Sequence, residues 1–293
     1  MSWQIVLGIL VIIQVSGIVL TKLAADRISK KSVGVFYQYL FCSVISTLYA
    51  VFSGNFNPSS MFMGVTVGII TIGILNAIGN YFQWQTSALS LSKTALFFPM
   101  MEVVTIVLAV IFLGEDTLWN IPLVCGIVIC FLVMLYFRFP KNKENQAEKV
   151  TNNKWFIFAI AMIFIFGVTG FFLKFFSNTV PRETFLMEFY LGSFVGSIPL
   201  LLIEKQNPLK VSRKMLLGIL PISIAITSAV LAIYWAYQLG GPVSLVIPVK
   251  GLAITVIPIL VGWLFLKEGK GLSIHDWLVF GSAIVAVVLI LTR

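Results

Sequence analysis

The chain has 293 residues, of which 59% are hydrophobic and 11% charged, with a mean hydropathy of +1.02 and a formal net charge of +9. Soluble domains carry about 25% charged residues, so this composition excludes a water-soluble globule and calls for lipid as part of the solvent. The positive charge does not point to nucleic acid, because the Lys and Arg residues sit in short loops between apolar runs, where they set membrane topology.

Ten apolar runs follow in chain order: 3–21, 33–53, 61–83, 94–113, 118–137, 155–173, 184–203, 215–238, 243–266 and 274–291. Each is near the ~20 residues that a spanning helix needs. Lipid offers no partner to free N–H and C=O groups, so every run is predicted to be helical. The expected fold class is an all-α polytopic membrane protein of ten transmembrane helices. The first run has no basic stretch before it and is followed by Lys22, which fits a retained span better than a cleaved signal peptide. Short loops predict that successive helices are antiparallel neighbours. Cys42, Cys125 and Cys130 lie inside apolar runs with no CxxC and no Cys/His cluster. They are expected to be buried free thiols, with no metal site and no cofactor. The longest polar stretch, 138–154, cannot bury a core. Residues 141–153 are therefore a linker between two halves, 1–140 and 154–293, of five spans each.

The halves repeat one another. Phe112-Leu113-Gly114-Glu115 returns as Phe265-Leu266-Lys267-Glu268, and Trp3 with Lys22 returns as Trp155 with Lys174. Gln38 falls opposite Glu188, Cys42 and Ser46 opposite Gly192 and Gly196, Trp84 opposite Trp235, Pro99 opposite Pro248, and Gly126 opposite Gly281. Five spans is an odd number, so the second copy must enter the membrane upside down. The charges agree. Loops one, three, five, seven and nine carry sixteen basic residues, while the other side carries only Lys174, Arg182 and Arg293. The basic loop follows the first helix of the first copy but the second helix of the second copy. The positive-inside rule then predicts a cytoplasmic linker and both termini outside. Inverted repeats of this kind build many secondary transporters.

Two five-helix halves with this turn resemble the EamA-type members of the drug/metabolite transporter superfamily. The resemblance runs through Ala88-Leu89-Ser90, Pro99 and Phe112-Leu113-Gly114-Glu115, and again through Tyr237-Gln238-Leu239, Pro248 and Phe265-Leu266-Lys267-Glu268. Lys267 departs from the usual glycine. The resemblance covers the whole chain. It implies alternating-access transport, often export, through a central cavity lined by helices one to four of each half.

Three charges lie within spans: Glu102, Glu188 and Lys250. A charge at mid-membrane costs roughly 2.5–3.5 kcal/mol on insertion scales, so each needs a reason. Glu102 follows Pro99 by three residues and Lys250 follows Pro248 by two, which places them at similar depths. One reading has them hold the two ends of a zwitterion. A second has them form an ion pair that ties the halves, and a third makes Glu102 a proton site. Glu188, near the start of its span, is an interfacial carboxylate or a second proton site. Asn76, Asn80, Gln83 and Ser87 form one helix face and are expected to line a cavity or to stitch helices. Tyr234, Trp235 and Gln238 on span eight, with Gln14 and Gln38, complete the expected substrate-binding set, although aromatic residues also form interfacial belts. Pro99 and Pro248 are candidate hinges. Gly64-xxx-Gly68 and Gly192-xxx-Gly196 are expected packing seams. His275 beside Asp276 is read as a helix-terminus residue. No HExxH, GxSxG or P-loop occurs, so neither an enzyme nor an ATP-driven pump is expected.

The expected function is therefore secondary transport of a small amino-acid-like or other polar metabolite across the plasma or inner membrane. Export is the expected direction and H+ a candidate coupling ion. The alternatives are a cationic drug or quaternary-ammonium transporter using Glu102 with Tyr234 and Trp235 and, in a different class, a non-transporting scaffold or lipid-handling protein.

Overall fold

The structure, a computed structural model, describes residues 2–28, 30–54, 64–114, 121–138, 146–208 and 211–266, with eight positions between 278 and 289. The described residues form helices α1 (Trp3–Arg27), α2 (Lys31–Phe52), α3 (Gly64–Leu89), α4 (Leu91–Ala95), α5 (Phe98–Leu113), α6 (Ile121–Arg138), α7 (Gln146–Ser177), α8 (Arg182–Ile203), α9 (Arg213–Gln238) and α10 (Val243–Leu264). Eight stretches among them are long and apolar enough to cross a bilayer: α1, α2, α3, Leu91–Leu113, Asn153–Ser177 of α7, α8, α9 and Leu245–Leu264 of α10. The chain is a multi-pass helical membrane protein. The fifth expected run is helix α6. The tenth, 274–291, lies outside the described residues except at those eight positions, as do Glu115, Lys267, Glu268 and His275. From Gln146 the expected linker is helical and runs straight into α7.

Local sequence explains the breaks. Ser90 is extended (φ −162°) after α3, and its Oγ accepts from Lys93 N at 3.2 Å to cap α4. Pro99 lies in the first turn of α5, where its missing N–H costs nothing. Span four is thus two helical pieces joined at Leu96–Phe97. Pro248 instead sits inside the unbroken α10, so the two candidate hinges differ in local geometry. Gly114 ends α5 in the left-handed region (φ 61°), a cap that a Cβ disfavours.

Packing joins opposite halves. Helix α3 lies along α8, α1 along α9, α2 against α8 and α9, and α7 against α3 and α5. Consecutive helices touch far less, which corrects the expectation that short loops make them close neighbours. The reason is that lipid solvates apolar side chains as well as a neighbouring helix does, so close fit and hydrogen bonds decide the pairing. The α3–α8 seam shows this. A Cβ at Gly73 would strike the Phe189 carbonyl, one at Gly192 the Ile70 backbone, and one at Gly196 would lie 2.7 Å from Ile74 Cα. Gly64 faces open space and Gly68 reaches only Phe176 at 3.4 Å, so that spacing makes no such seam. Cys42 is buried, with its Sγ 3.6 Å from Ser223 O. Cys125 is exposed, not buried as expected.

Two lysines hold helix ends in the same manner. Lys22 Nζ donates to Ala88 O at 3.2 Å, near the end of α3, and Lys174 Nζ donates to Gly241 O at 3.4 Å, just beyond α9. Carbonyls at helix C-termini are unsatisfied and partly negative, which favours a cation there.

Candidate functional site

A cavity of about 160 Å³ lies at mid-bundle between the halves. A water occupies about 30 Å³ of liquid, so this is space for a few waters or a small solute. Its polar wall comes from Gln14 of α1, from Asn76, Asn80 and Gln83 of α3, and from Glu102 of α5 and Lys250 of α10. The rest of the lining is largely apolar, with Ala225 and Ala229 of α9 and the rings of Phe98, Phe166 and Phe189.

Glu102 and Lys250 form an ion pair at 2.9 Å, and both are buried. The contact is short, yet Glu102 Oε1 lacks the angle of a hydrogen bond. The pair is thus held by charge and proximity. Glycines bring the walls this close. A Cβ at Gly251 would lie 3.1 Å from Glu102 Cγ, and one at Gly170 would lie 2.6 Å from Thr105 Oγ1. Thr105, one turn beyond Glu102, donates to Gly167 O at 2.9 Å, which fixes this turn of α5 against α7.

Two amides of α3 on the cavity wall differ: Asn76 is paired and Asn80 is open. Asn76 Nδ2 donates to Tyr39 Oη at 2.8 Å and to Ser193 Oγ at 3.3 Å. Asn80, buried at 2% exposure, leaves its Nδ2 without a hydrogen-bond partner among the described residues. The Tyr39 hydroxyl, which already accepts from Asn76, is a close polar neighbour. A buried N–H donor costs about 1–3 kcal/mol when unmet, so a ligand or water in the cavity is its natural acceptor.

The structure thus brings Gln14, Asn76, Asn80, Gln83, Glu102 and Lys250 to one cavity. It sets the other named residues apart. Gln38, on α2, is fully buried away from the cavity, where its Oε1 accepts from Trp84 Nε1 at 2.9 Å and its Nε2 is unpaired. Trp84 is wedged over Gly34, whose Cβ would lie 2.6 Å from the ring. Tyr234 stacks on Phe185 at 4.4 Å, and its hydroxyl lies 2.8 Å from both Phe176 O and Val180 O, at the end of α7. Gln238 Nε2 donates to Val180 O at 3.3 Å. Trp235 carries the Arg182 guanidinium 4.9 Å above its ring. These three residues of α9 fasten the α7–α8 corner and do not line the cavity, because their turns of α9 lie beyond it. Glu188 is also off the cavity and accepts from Thr66 Oγ1 at 2.9 Å.

Sequence reasoning missed Thr105 and Thr169 on the cavity wall. Thr105 was findable, since it lies three residues beyond Glu102 on the same helix face. Thr169 gave no signal, because its hydroxyl returns to Ile165 O at 2.8 Å and sits in an apolar run. The Gln38–Trp84 bond carries its own expectation. Trp84→Phe leaves a second buried end of the Gln38 amide unmet and lowers stability by about 1–3 kcal/mol, read as a reduced denaturation midpoint in detergent.

No family model and no curated protein matches this chain. The fold is similar to that of a solved structure described only as the crystal structure of a protein. The TM-score is 0.62 over 97% of each chain, with 15% identity. That likeness bears on the fold alone.

Proposed function

We propose that this protein is a secondary transporter that carries a small zwitterionic metabolite of amino-acid type by alternating access, in the exporting direction. The observation that carries this reading is the mid-bundle cavity with a buried Glu102–Lys250 pair and an unmet Asn80 amide at its wall. A zwitterion entering between the two charges gives each a new partner, so no buried charge is stranded. A lone cation would displace Lys250 and leave it uncompensated, which is strongly unfavourable in a buried site. Tyr234 and Trp235 stand off the cavity, so the two aromatic residues named for the cationic-drug reading do not meet a solute there, although Tyr39, Phe98, Phe166 and Phe189 do line it. A dry scaffold would have paired Asn80.

The reading includes an inverted repeat of two five-helix halves with a cytoplasmic linker, in the manner of EamA-type transporters. The matched lysines support it: Lys22 and Lys174 lie 152 residues apart, and the carbonyls they hold, Ala88 and Gly241, lie 153 apart. Packing supports it too, since α1 on α9 mirrors α7 on α3 under the same offset. An inverted pair of halves offers two outlets related by symmetry. Glu102, on the cavity wall, is the group assigned to a coupling proton, since Glu188 stands off the cavity.

The test is counterflow of radiolabelled amino acids in proteoliposomes. Wild-type protein accumulates at least one zwitterion, and Asn80→Leu, which keeps the branched shape but removes both polar atoms, lowers that uptake about 10–100-fold. The drop corresponds to roughly 1.5–3 kcal/mol for a hydrogen bond to a charged group. Uptake of organic cations but of no zwitterion would overturn the substrate class, and no flux of either would overturn transport.

A further inference from the structure

A second feature lies outside the bundle and is independent of the transport reading. Along the seam of α1 and α9 runs a groove in two parts. One has a volume of about 530 Å³, with Arg27 and Lys214 at its rim and Leu20, Leu23 and Met215 below them. The other, about 460 Å³, continues past Ile12, Ile13, Leu217 and Ile224. Pro221 belongs to both, so the two parts adjoin at that residue. The floor is open because Gly218 has nothing within 4 Å of where its Cβ would be.

The groove is amphipathic along its length. Arg27 and Lys214 have no carboxylate partner among the described residues, and the neighbouring acid, Asp26, is held by Lys22 at 2.9 Å. Ser212 lies at the same rim; its Oγ accepts from Met215 N at 3.3 Å, which leaves its proton to donate. Below the rim the walls are almost wholly apolar. From Lys214 to Ser228, a helix rising ~1.5 Å per residue covers about 21 Å. Half of a bilayer about 40–45 Å thick with its headgroups is the same length.

We propose that this groove binds one anionic phospholipid from the leaflet on the basic side. The phosphate sits between Arg27 and Lys214 with the Ser212 hydroxyl donating to it, and an acyl chain runs past Gly218 and Pro221 towards Ile12. Charge complementarity selects a net-negative headgroup, and the length selects a lipid over a soluble anion. Basic sites between helices at this depth are suited to anionic headgroups.

Native mass spectrometry of the purified protein, titrated with phosphatidylglycerol or phosphatidylcholine, tests the site. Wild-type protein retains phosphatidylglycerol about tenfold more strongly, on the order expected for two basic residues near a membrane surface. Arg27→Gln with Lys214→Gln abolishes that preference. Lys154→Gln with Lys205→Gln, of equal charge change on the same side but off the groove, keeps it. Gly218→Trp fills the floor and removes the tightly held lipid while the denaturation midpoint in phosphatidylcholine is unchanged within a few degrees. Equal retention of the two lipids by wild-type protein overturns the proposal. So does a preference that survives either the double substitution at the rim or Gly218→Trp.

Discussion

Lys250→Met is expected to destabilise the protein by about 3–5 kcal/mol, because it strands the buried Glu102 without its partner at 2.9 Å. Glu102→Gln should do the same to Lys250. The double variant Glu102→Gln with Lys250→Met removes both charges and should recover most of that loss, since replacing a whole buried pair is often neutral. Flux distinguishes the two roles the pair can have. If it holds the substrate, each single variant and the double variant are all inactive in proteoliposomes, although the double variant is stable. If it only ties α5 to α10, the double variant regains flux along with stability. Denaturation in detergent and flux on the same three variants therefore separate binding from architecture. Recovered flux in the double variant would falsify the binding role.

The α3–α8 seam is where a single methyl should matter most. Gly192→Ala places a Cβ against the Ile70 backbone, and backbone cannot rotate away as a side chain can. Overpacking typically costs 1–3 kcal/mol and occasionally more; a clash between two main chains belongs at or above the top of that range. Gly192→Leu is expected to prevent accumulation of folded protein. Gly68→Ala, on α3 but facing α7, meets only the Phe176 ring at ordinary contact distance and should stay within about 0.5 kcal/mol of wild type. Size-exclusion profiles and denaturation midpoints of the two alanine variants measure the contrast directly. Equal midpoints would show that α3 and α8 can separate without loss.

The candidate site was legible in part. Charged and amide residues stand out in an apolar chain because each is costly in lipid, so Glu102, Lys250 and the α3 amides announced themselves. Periodicity put Asn76, Asn80 and Gln83 on one face, and the cavity meets that face. It could not tell that Asn76 is satisfied by Tyr39 and Ser193 while Asn80 is not, since those partners come from other helices. The same limit misplaced Gln38 and the aromatic turn of α9. Tyr234, Trp235 and Gln238 are polar residues in a span, but their partners are main-chain carbonyls and a guanidinium at the α7–α8 corner. A polar residue in lipid needs a partner; its sequence does not say whether that partner is a ligand or another helix.

By itself the sequence determined that this chain is helical and lies in a membrane, because hydropathy and backbone hydrogen bonding in lipid allow little else. It also determined where most spans begin and end and which residues are costly enough to need a reason. Which helices touch was decided only in three dimensions. Lipid removes the burial drive that makes chain neighbours pack, and the contacts then follow backbone-deep fits such as Gly73 against Gly192. The meeting of Glu102 with Lys250, 148 residues apart, belongs to that second level: matched depths offered an ion pair as one reading of three, and only the crossing of α5 with α10 brings the two charges to 2.9 Å.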